Sequence, residues 1–167
     1  DEKKIHILNG GLKKWIFENK PTTKDKTEII ESNYVASEKE NLVVSFDQIK
    51  KNILSKSFNV IDARSLERFE GKVSEPRKGL RSGHIQNSFC LPFNQCINQK
   101  TGEFKNLEEL RELFNQNENI EKRLDQVFTC GSGVTAAVLA YAYKMVNNDY
   151  IPKIYDGSWS EYGKYPA

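Results

Sequence analysis

The residues best suited to covalent chemistry lie in one loop, CGSGVT at positions 130–135. Cys130 follows an apolar segment at 126–129 that predicts a strand, and a helical pattern begins at Val134. A thiol at such a turn lies near the positive end of the helix dipole, and the two glycines of the loop allow successive N–H groups to face one centre. This environment lowers the pKa of a thiol below its free value of about 8.5. The loop therefore predicts that Cys130 is a nucleophilic thiolate.

A second interpretation of Cys130 is a small buried residue before an ordinary helix start, but the glycine spacing favours the nucleophile. The other two cysteines, Cys90 and Cys96, have no comparable setting, since Cys90 lies in a segment at 88–93 that predicts a strand and its exit. Both are expected to be inert thiols. Three cysteines without a CxxC pair do not indicate a disulfide framework, and they fit a reducing compartment.

The composition is typical of a folded chain of about one domain. Its 167 residues are 38% apolar and 29% charged, which is enough to bury a core and too apolar for disorder throughout. The 25 Lys and Arg residues against 23 Asp and Glu leave a charge of +2, and the basic residues are scattered, so no nucleic-acid partner is expected. The longest uncharged run, 126–143, is interrupted by residues 130–133 and predicts a buried core segment, so no membrane partner is expected either.

Alternating segments indicate the elements that must position the cysteine loop. Segments rich in β-branched residues predict strands at 58–62, 126–129 and 151–155. Apolar residues at helical spacing predict helices at 46–54, 106–115 and 134–146. This order predicts an α/β domain whose central, mostly parallel sheet is flanked by helices on both faces. In such sheets ligands bind beyond the carboxyl ends of the strands, where Cys130 lies.

Two segments near the ends of the chain resemble each other. Residues 7–15 and 154–162 each read as a short strand, an Asn-Gly or Asp-Gly turn and a helical turn ending in an aromatic residue. The repeat predicts that residues 1–20 are the C-terminal remnant of a first domain similar to the second, although chance similarity over nine residues is an alternative. Residues 21–41 are polar and weakly periodic and predict an interdomain linker, which leaves residues 42–167 for the catalytic domain.

Seven short motifs carry a family resemblance. They are LNGG at 8–11, DAR at 62–64, RF at 68–69, EPR at 75–77, SGHI at 82–85, the loop at 130–135 and DGSW at 156–159. In this order they resemble the second domain of the two-domain rhodaneses, and more closely the 3-mercaptopyruvate sulfurtransferases than the thiosulfate sulfurtransferases. Thiosulfate enzymes typically carry Arg and Lys after the nucleophile, whereas this chain has Gly131 and Ser132. The resemblance implies the rhodanese-like fold, with residues 1–20 left from a first rhodanese-like domain.

The resemblance also implies a reaction. The Cys130 thiolate takes the sulfur of 3-mercaptopyruvate as a persulfide, and pyruvate leaves as its enolate. The sulfur then passes to thioredoxin, a small thiol or cyanide, and its reductive release gives hydrogen sulfide. The resemblance implies that Ser132 takes part in catalysis and that no metal or organic cofactor is needed.

The resemblance assigns the substrate carboxylate and ketone to two arginines nine positions apart, Arg68 and Arg77. A guanidinium group suits this task because it pairs with a carboxylate through two parallel hydrogen bonds. Arg64 and His84 are expected to be structural. The remaining site residues are loop positions whose N–H groups are expected to face the sulfur: Gly131, Gly133, Val134 and Thr135.

In mercaptopyruvate enzymes Ser132 is assisted by a His and an Asp of the first domain, and neither can be mapped onto this chain. The chain begins at Asp1 without a Met and is expected to be cut from a longer protein. The missing first domain is expected to pack against the second, and the fragment alone is expected to turn over slowly. A reduced thiol suits the cytoplasm, and the mitochondrion as well.

Three alternative functions differ from this prediction in different ways. Thiosulfate:cyanide sulfurtransferase activity differs in the donor alone. A non-catalytic rhodanese docking module differs in class, and the retained Cys130 argues against it. Cysteine phosphatases share the cradled thiolate but need an Arg six positions after the Cys, where this chain has Ala136.

Overall fold

The computed structural model describes residues 5–37, 39–116 and 120–165. Its centre is a four-stranded sheet in which every neighbouring pair is parallel, with the order β2-β1-β3-β4. The strands are β1 Phe58–Asp62, β2 Ser88–Cys90, β3 Asp125–Thr129 and β4 Lys153–Ile154. The strands predicted at 58–62 and 126–129 are confirmed to within one residue. The strand predicted at 151–155 is shorter, because only Lys153 and Ile154 pair with β3 and Pro152 has no N–H to donate.

The described residues form six α-helices and two short 3₁₀ turns. The helices are α1 Gly11–Phe17, α2 Phe46–Ser55, α3 Leu66–Phe69, α4 Leu107–Asn115, α5 Val134–Val146 and α6 Ser158–Tyr162. The 3₁₀ turns span Glu40–Leu42 and Phe93–Cys96. The three helices predicted from apolar spacing correspond to α2, α4 and α5, and their bounds agree to within one residue.

Side-chain caps explain where two of these helices begin. The hydroxyl of Ser45 accepts a hydrogen bond from the N–H of Gln48 at 3.3 Å, and the Gln48 side chain accepts one from the N–H of Ser45 at 2.8 Å. Asn106 and Glu109 form the same reciprocal pair at the start of α4. Each capping box satisfies N–H groups that have no partner within the helix, so residues close in sequence determine where the helix begins.

The sheet is buried on both faces. Val60 and Val127 pack with residues of α2 and α6, among them Ile49 and Trp159. Their neighbours Ile61 and Phe128 point the other way and pack with residues of α4 and α5, among them Leu110 and Leu139. The predicted fold, a parallel sheet with helices on both faces, is therefore confirmed, and it places the carboxyl ends of β1 and β3 beside each other.

The N-terminal segment lies against the turn before α4. The N–H of Phe104 donates to the Asn9 side chain at 2.9 Å, and Lys14 forms an ion pair with Glu103. The strand predicted at residues 7–8 is not formed, since no strand of the described residues pairs with it. Residues 21–37 are exposed and contain neither helix nor strand. Across the described ranges, the helices are too short or too polar to cross a membrane.

Candidate active site

Cys130 lies directly after β3, and α5 begins four residues later. The turn between them requires a left-handed residue, and Gly133 supplies it with φ 80°. A Cβ at this position would also collide with the Asp156 carboxylate and lie 3.1 Å from the Asp156 carbonyl oxygen, so a side chain there would force Asp156 to move. The result is a tight loop that folds around the Cys130 thiol, which is only 2% exposed.

The surroundings of the thiol lower its pKa. Burial is the largest single influence and acts to raise the pKa of Cys130, but four hydrogen bonds together outweigh it. One comes from the Thr135 hydroxyl, and three come from the N–H groups of Ser132, Ala136 and Thr135. Hydrogen bonds to the charged form favour the thiolate, so the surroundings of the Cys130 sulfur suit a nucleophile.

Two arginines from the segment between β1 and β2 approach the same loop. Arg68 lies in α3, and a methyl group at Gly131 would stand 3.1 Å from its Nη2 atom. The same methyl group would stand 3.5 Å from Nη1 of Arg77, which is an exposed residue. Gly131 therefore leaves room for two guanidinium groups next to the residue that carries the thiol. This arrangement can hold an anionic substrate against the sulfur of Cys130.

A buried ion network fixes one of the two arginines. The Glu75 carboxylate is 1% exposed and accepts hydrogen bonds from Arg68 at 2.6 and 3.2 Å, and from Nη1 of Arg64 at 2.8 Å. Arg64 is fully buried, is also paired with Asp62 at 2.7 Å, and lies 4.4 Å from the Trp159 ring centroid. Arg68 thus uses one edge of its guanidinium group on Glu75 and offers only the remaining N–H groups to a ligand. Arg64 is structural, as predicted.

Replacing Glu75 by alanine is expected to lower the free energy of unfolding by about 3 kcal/mol, because it removes one partner from a buried charge network. Glu70→Ala is the matched control, since Glu70 pairs with Lys72 on the surface, where solvent screens an ion pair and its loss has little effect on stability. Urea unfolding followed by circular dichroism measures both variants. Equal losses in the two variants would show that the Glu75 network does not stabilise the fold.

Ser132 and Val134 lie on the open side of the loop. Ser132 is half-buried and Val134 is 73% exposed. Together they border an apolar groove whose other lining residues come from the 3₁₀ turn, α5 and the β4 region: Leu42, Val43, Gly133, Ala137, Pro152, Ile154 and Asp156. Ser132, itself a residue of the Cys130 loop, thus lies at the edge of this groove.

The loop is held from behind by the residues that begin α6. The Ser158 hydroxyl accepts hydrogen bonds from the N–H of Cys130 at 3.2 Å and from the N–H of Gly133 at 3.0 Å. The N–H of Trp159 donates to the carbonyl of Cys130 at 3.0 Å, and the N–H of Ser160 donates to the carbonyl of Gly131 at 2.9 Å. The prediction that the Gly133 N–H faces the sulfur is therefore wrong, because that N–H is used by Ser158.

The other cysteines differ from Cys130 in their surroundings. Burial raises the pKa of both Cys90 and Cys96 to about 12, so each thiol stays protonated at neutral pH. Cys90 pairs with Asp62, and Asp62 pairs with Thr129 on its other side. Cys90 and Cys130 are therefore about two strand spacings of 4.8 Å apart, too far for a disulfide. The expectation of inert thiols agrees with this geometry.

His84 is structural, as predicted. Its Nδ1 atom lies 2.8 Å from the carbonyl oxygen of Phe69, and its ring stacks on the Phe69 ring with centroids 3.9 Å apart. The contact fastens the segment after Arg77 to the end of α3. It therefore supports the position of the two arginines without reaching the Cys130 loop.

Sequence reasoning missed two residues that shape the site, Glu75 and Ser158. Both lie inside motifs of the family resemblance, EPR and DGSW, so the sequence marked the segments but not the roles. The structure brings the predicted residues Cys130, Gly131 and Thr135 together with Arg68 and Arg77.

The sequence matches the family described as Rhodanese-like domain over residues 45–165. The chain belongs to this family. Human 3-mercaptopyruvate sulfurtransferase is 35% identical over 95% of this chain and 52% of its own length. Thiosulfate sulfurtransferase of Gallus gallus is 34% identical over 96% of this chain and 54% of its own length. The chain thus spans about half the length of these relatives.

The solved structures agree with the fold of this rhodanese-like domain. The structure of SseA from Escherichia coli, described in terms of the rhodanese fold and 3-mercaptopyruvate sulfotransferases, has a TM-score of 0.78 and 31% identity. The match covers 95% of this chain and 57% of the SseA chain. The predicted membership of the rhodanese family, with relatives named 3-mercaptopyruvate sulfurtransferase, is confirmed.

Proposed function

We propose that this chain is the catalytic domain of a sulfurtransferase that takes sulfane sulfur from 3-mercaptopyruvate onto Cys130 and passes it to a thiol acceptor. The observation that carries the proposal is a thiol with a lowered pKa whose neighbour, Gly131, lies next to two guanidinium groups, those of Arg68 and Arg77. The thiol supplies a nucleophile, and the two guanidinium groups can bind a carboxylate beside it. The names of relatives such as human 3-mercaptopyruvate sulfurtransferase support the same reaction.

The chemistry balances without a cofactor. The Cys130 thiolate attacks the sulfur of 3-mercaptopyruvate and forms the S–S bond of a persulfide. The carbon–sulfur bond breaks, and its electron pair goes to the methylene carbon, giving the enolate of pyruvate. The enolate then takes a proton, for which the Ser132 hydroxyl at the edge of the loop is the proposed relay. An acceptor thiolate attacks the outer sulfur and restores the Cys130 thiolate.

The charge around the loop favours a donor with one carboxylate. Glu75 neutralises part of the Arg68 charge, whereas Arg77 has no ion-pair partner among the described residues. Gly131 and Ser132 add no cation at the loop, in contrast to the Arg and Lys of typical thiosulfate enzymes. Thiosulfate is a compact dianion and gains less from such a site. Thiosulfate is still the second candidate donor, because relatives with that name match the chain equally well.

The donor preference is tested by initial rates. Pyruvate release from 3-mercaptopyruvate with a small-thiol acceptor is expected to exceed thiocyanate formation from thiosulfate and cyanide by at least about tenfold in kcat/KM, a difference of about 1.4 kcal/mol in transition-state binding. A ratio reversed in favour of thiosulfate would assign the chain to the thiosulfate enzymes. Absence of both products would favour a non-catalytic docking module.

We further propose that a first rhodanese-like domain of a longer chain packs beside the loop. The apolar groove beside Ser132 and the 73% exposed side chain of Val134 support a protein contact at this surface. Such a domain would add the groups that assist Ser132. Thioredoxin or a small thiol is the proposed acceptor. The reduced state of the thiols suits the cytoplasm or the mitochondrion, and a relative from Arabidopsis thaliana is named as mitochondrial.

A further inference from the structure

The main-chain groups of the Cys130 loop divide into two sets. The N–H groups of Ser132, Thr135 and Ala136 point at the sulfur. The N–H groups of Cys130 and Gly133 point away from it and meet one oxygen, the hydroxyl of Ser158. These two groups are the first and the last N–H of the turn. One side chain therefore fixes both ends of the turn at 130–133. The Ser132 N–H lies within this turn, and the Thr135 and Ala136 N–H groups lie just after it, in the first turn of α5.

The Ser158 hydroxyl is itself held in one orientation. It donates to the carbonyl of Tyr155 at 2.8 Å, so its only proton points away from the loop and its lone pairs face the loop N–H groups. The Thr129 hydroxyl, at the end of β3, lies 3.2 Å from the same oxygen. Ser158 is fully buried, so water cannot replace these contacts.

The backbone at Ser158 shows that the hydroxyl matters more than local conformational preference. Its φ is 50°, in the left-handed region that glycine adopts more readily than any residue with a Cβ. Alanine would meet the same steric strain as serine and lack the oxygen. What serine adds at this position is therefore the acceptor for the two loop N–H groups.

We infer that Ser158 is a positioning residue whose hydroxyl pins both ends of the turn at 130–133 and so keeps the sulfur in register with the N–H groups of Ser132, Thr135 and Ala136. Without this oxygen, the N–H groups of Cys130 and Gly133 are buried and unpaired, and the turn must shift to satisfy them. Any shift changes the position of the sulfur relative to these N–H groups, since Cys130 and Ser132 lie within the turn and Thr135 and Ala136 follow it in α5. The inference deepens the proposed function and rests on it for the catalytic consequence.

The test uses the thiol itself and needs no sulfur donor. The rate of Cys130 alkylation by iodoacetamide is measured by peptide mass spectrometry from pH 5 to about 10, in the unaltered protein and in Ser158→Gly and Ser158→Ala. Both variants are expected to raise the midpoint of the pH profile by about one unit, which lowers the alkylation rate about tenfold at pH values well below the midpoint. Ser158→Gly removes the oxygen without strain, and Ser158→Ala removes it while keeping the Cβ.

Ser88→Ala is the matched control, because the Ser88 hydroxyl also donates to a backbone carbonyl but lies at the start of β2. Its midpoint is expected to match that of the unaltered protein. An unchanged midpoint of the alkylation profile in a folded variant, either Ser158→Gly or Ser158→Ala, would overturn the inference. If the unaltered protein forms no persulfide but the midpoint moves in the Ser158 variants, the proposed function fails and the positioning role stands.

Discussion

Replacing Cys130 by serine is expected to abolish pyruvate release from 3-mercaptopyruvate, with a fall in kcat of at least about 1,000-fold. An alcohol is far less acidic than a thiol, and its oxygen cannot form the persulfide on which the two-step transfer depends. The four hydrogen bonds that lower the pKa of Cys130 have no comparable effect on a hydroxyl, which stays protonated in the loop. Steady-state pyruvate formation measures the loss.

Cys90→Ser is the control for this variant. Burial raises the pKa of Cys90 to about 12, and its thiol donates to the carbonyl of Arg64 rather than facing the loop. Its kcat is expected to stay within about twofold of the unaltered protein. Turnover that survives in Cys130→Ser and disappears in Cys90→Ser would show that Cys90, and not Cys130, is the nucleophile.

Removing Arg77 is expected to give the second largest effect, a rise in KM for 3-mercaptopyruvate of about 10- to 150-fold. A hydrogen bond to a charged group contributes about 1.5–3 kcal/mol, which corresponds to this range. Arg77 is exposed and, within the described part of the chain, has no ion-pair partner, so its guanidinium group is available to the substrate carboxylate. Arg77→Lys is expected to recover only part of the loss, since an ammonium group cannot pair through two parallel bonds.

Arg68→Ala distinguishes binding from structure. It is expected to raise KM in the same way, but also to lower the melting temperature, because the buried Glu75 loses one of its two arginine partners. Arg111→Ala is the control, since Arg111 is an exposed residue of α4 that lines a cleft with Gln126 near the start of β3, whereas Cys130 follows the end of that strand. If KM is unchanged in both Arg68→Ala and Arg77→Ala, the carboxylate is bound elsewhere.

The sequence predicted those elements whose signals are local. The capping residues Ser45 and Asn106 and the apolar spacing of α5 lie within the elements they define, so the bounds were correct to within one residue. The strand predicted at 7–8 failed because a strand needs a neighbour to pair with, and pairing is a tertiary property. The same reason shortens β4 to the two residues that β3 can reach.

In the site, too, the features set by residues adjacent in sequence could be predicted, and those set by distant contacts could not. The lowered pKa of Cys130 could be predicted because the loop glycines and the helix start are adjacent in sequence. The contact from Ser158 spans 25 to 28 residues, and Glu75 meets Arg64 across 11. No local pattern reports such contacts. The wrong prediction for the Gly133 N–H has the same cause. A glycine-rich loop indicates that N–H groups can face inward, but it does not indicate which of them bind other residues.

The most direct test of the central claim is the intact mass of the protein after brief incubation with 3-mercaptopyruvate in the absence of an acceptor. We expect a gain of one sulfur atom, about 32 Da, that peptide mapping places on Cys130 and that a thiol reductant removes. A mass that does not change, or a sulfur found on Cys90 or Cys96 instead, would contradict it.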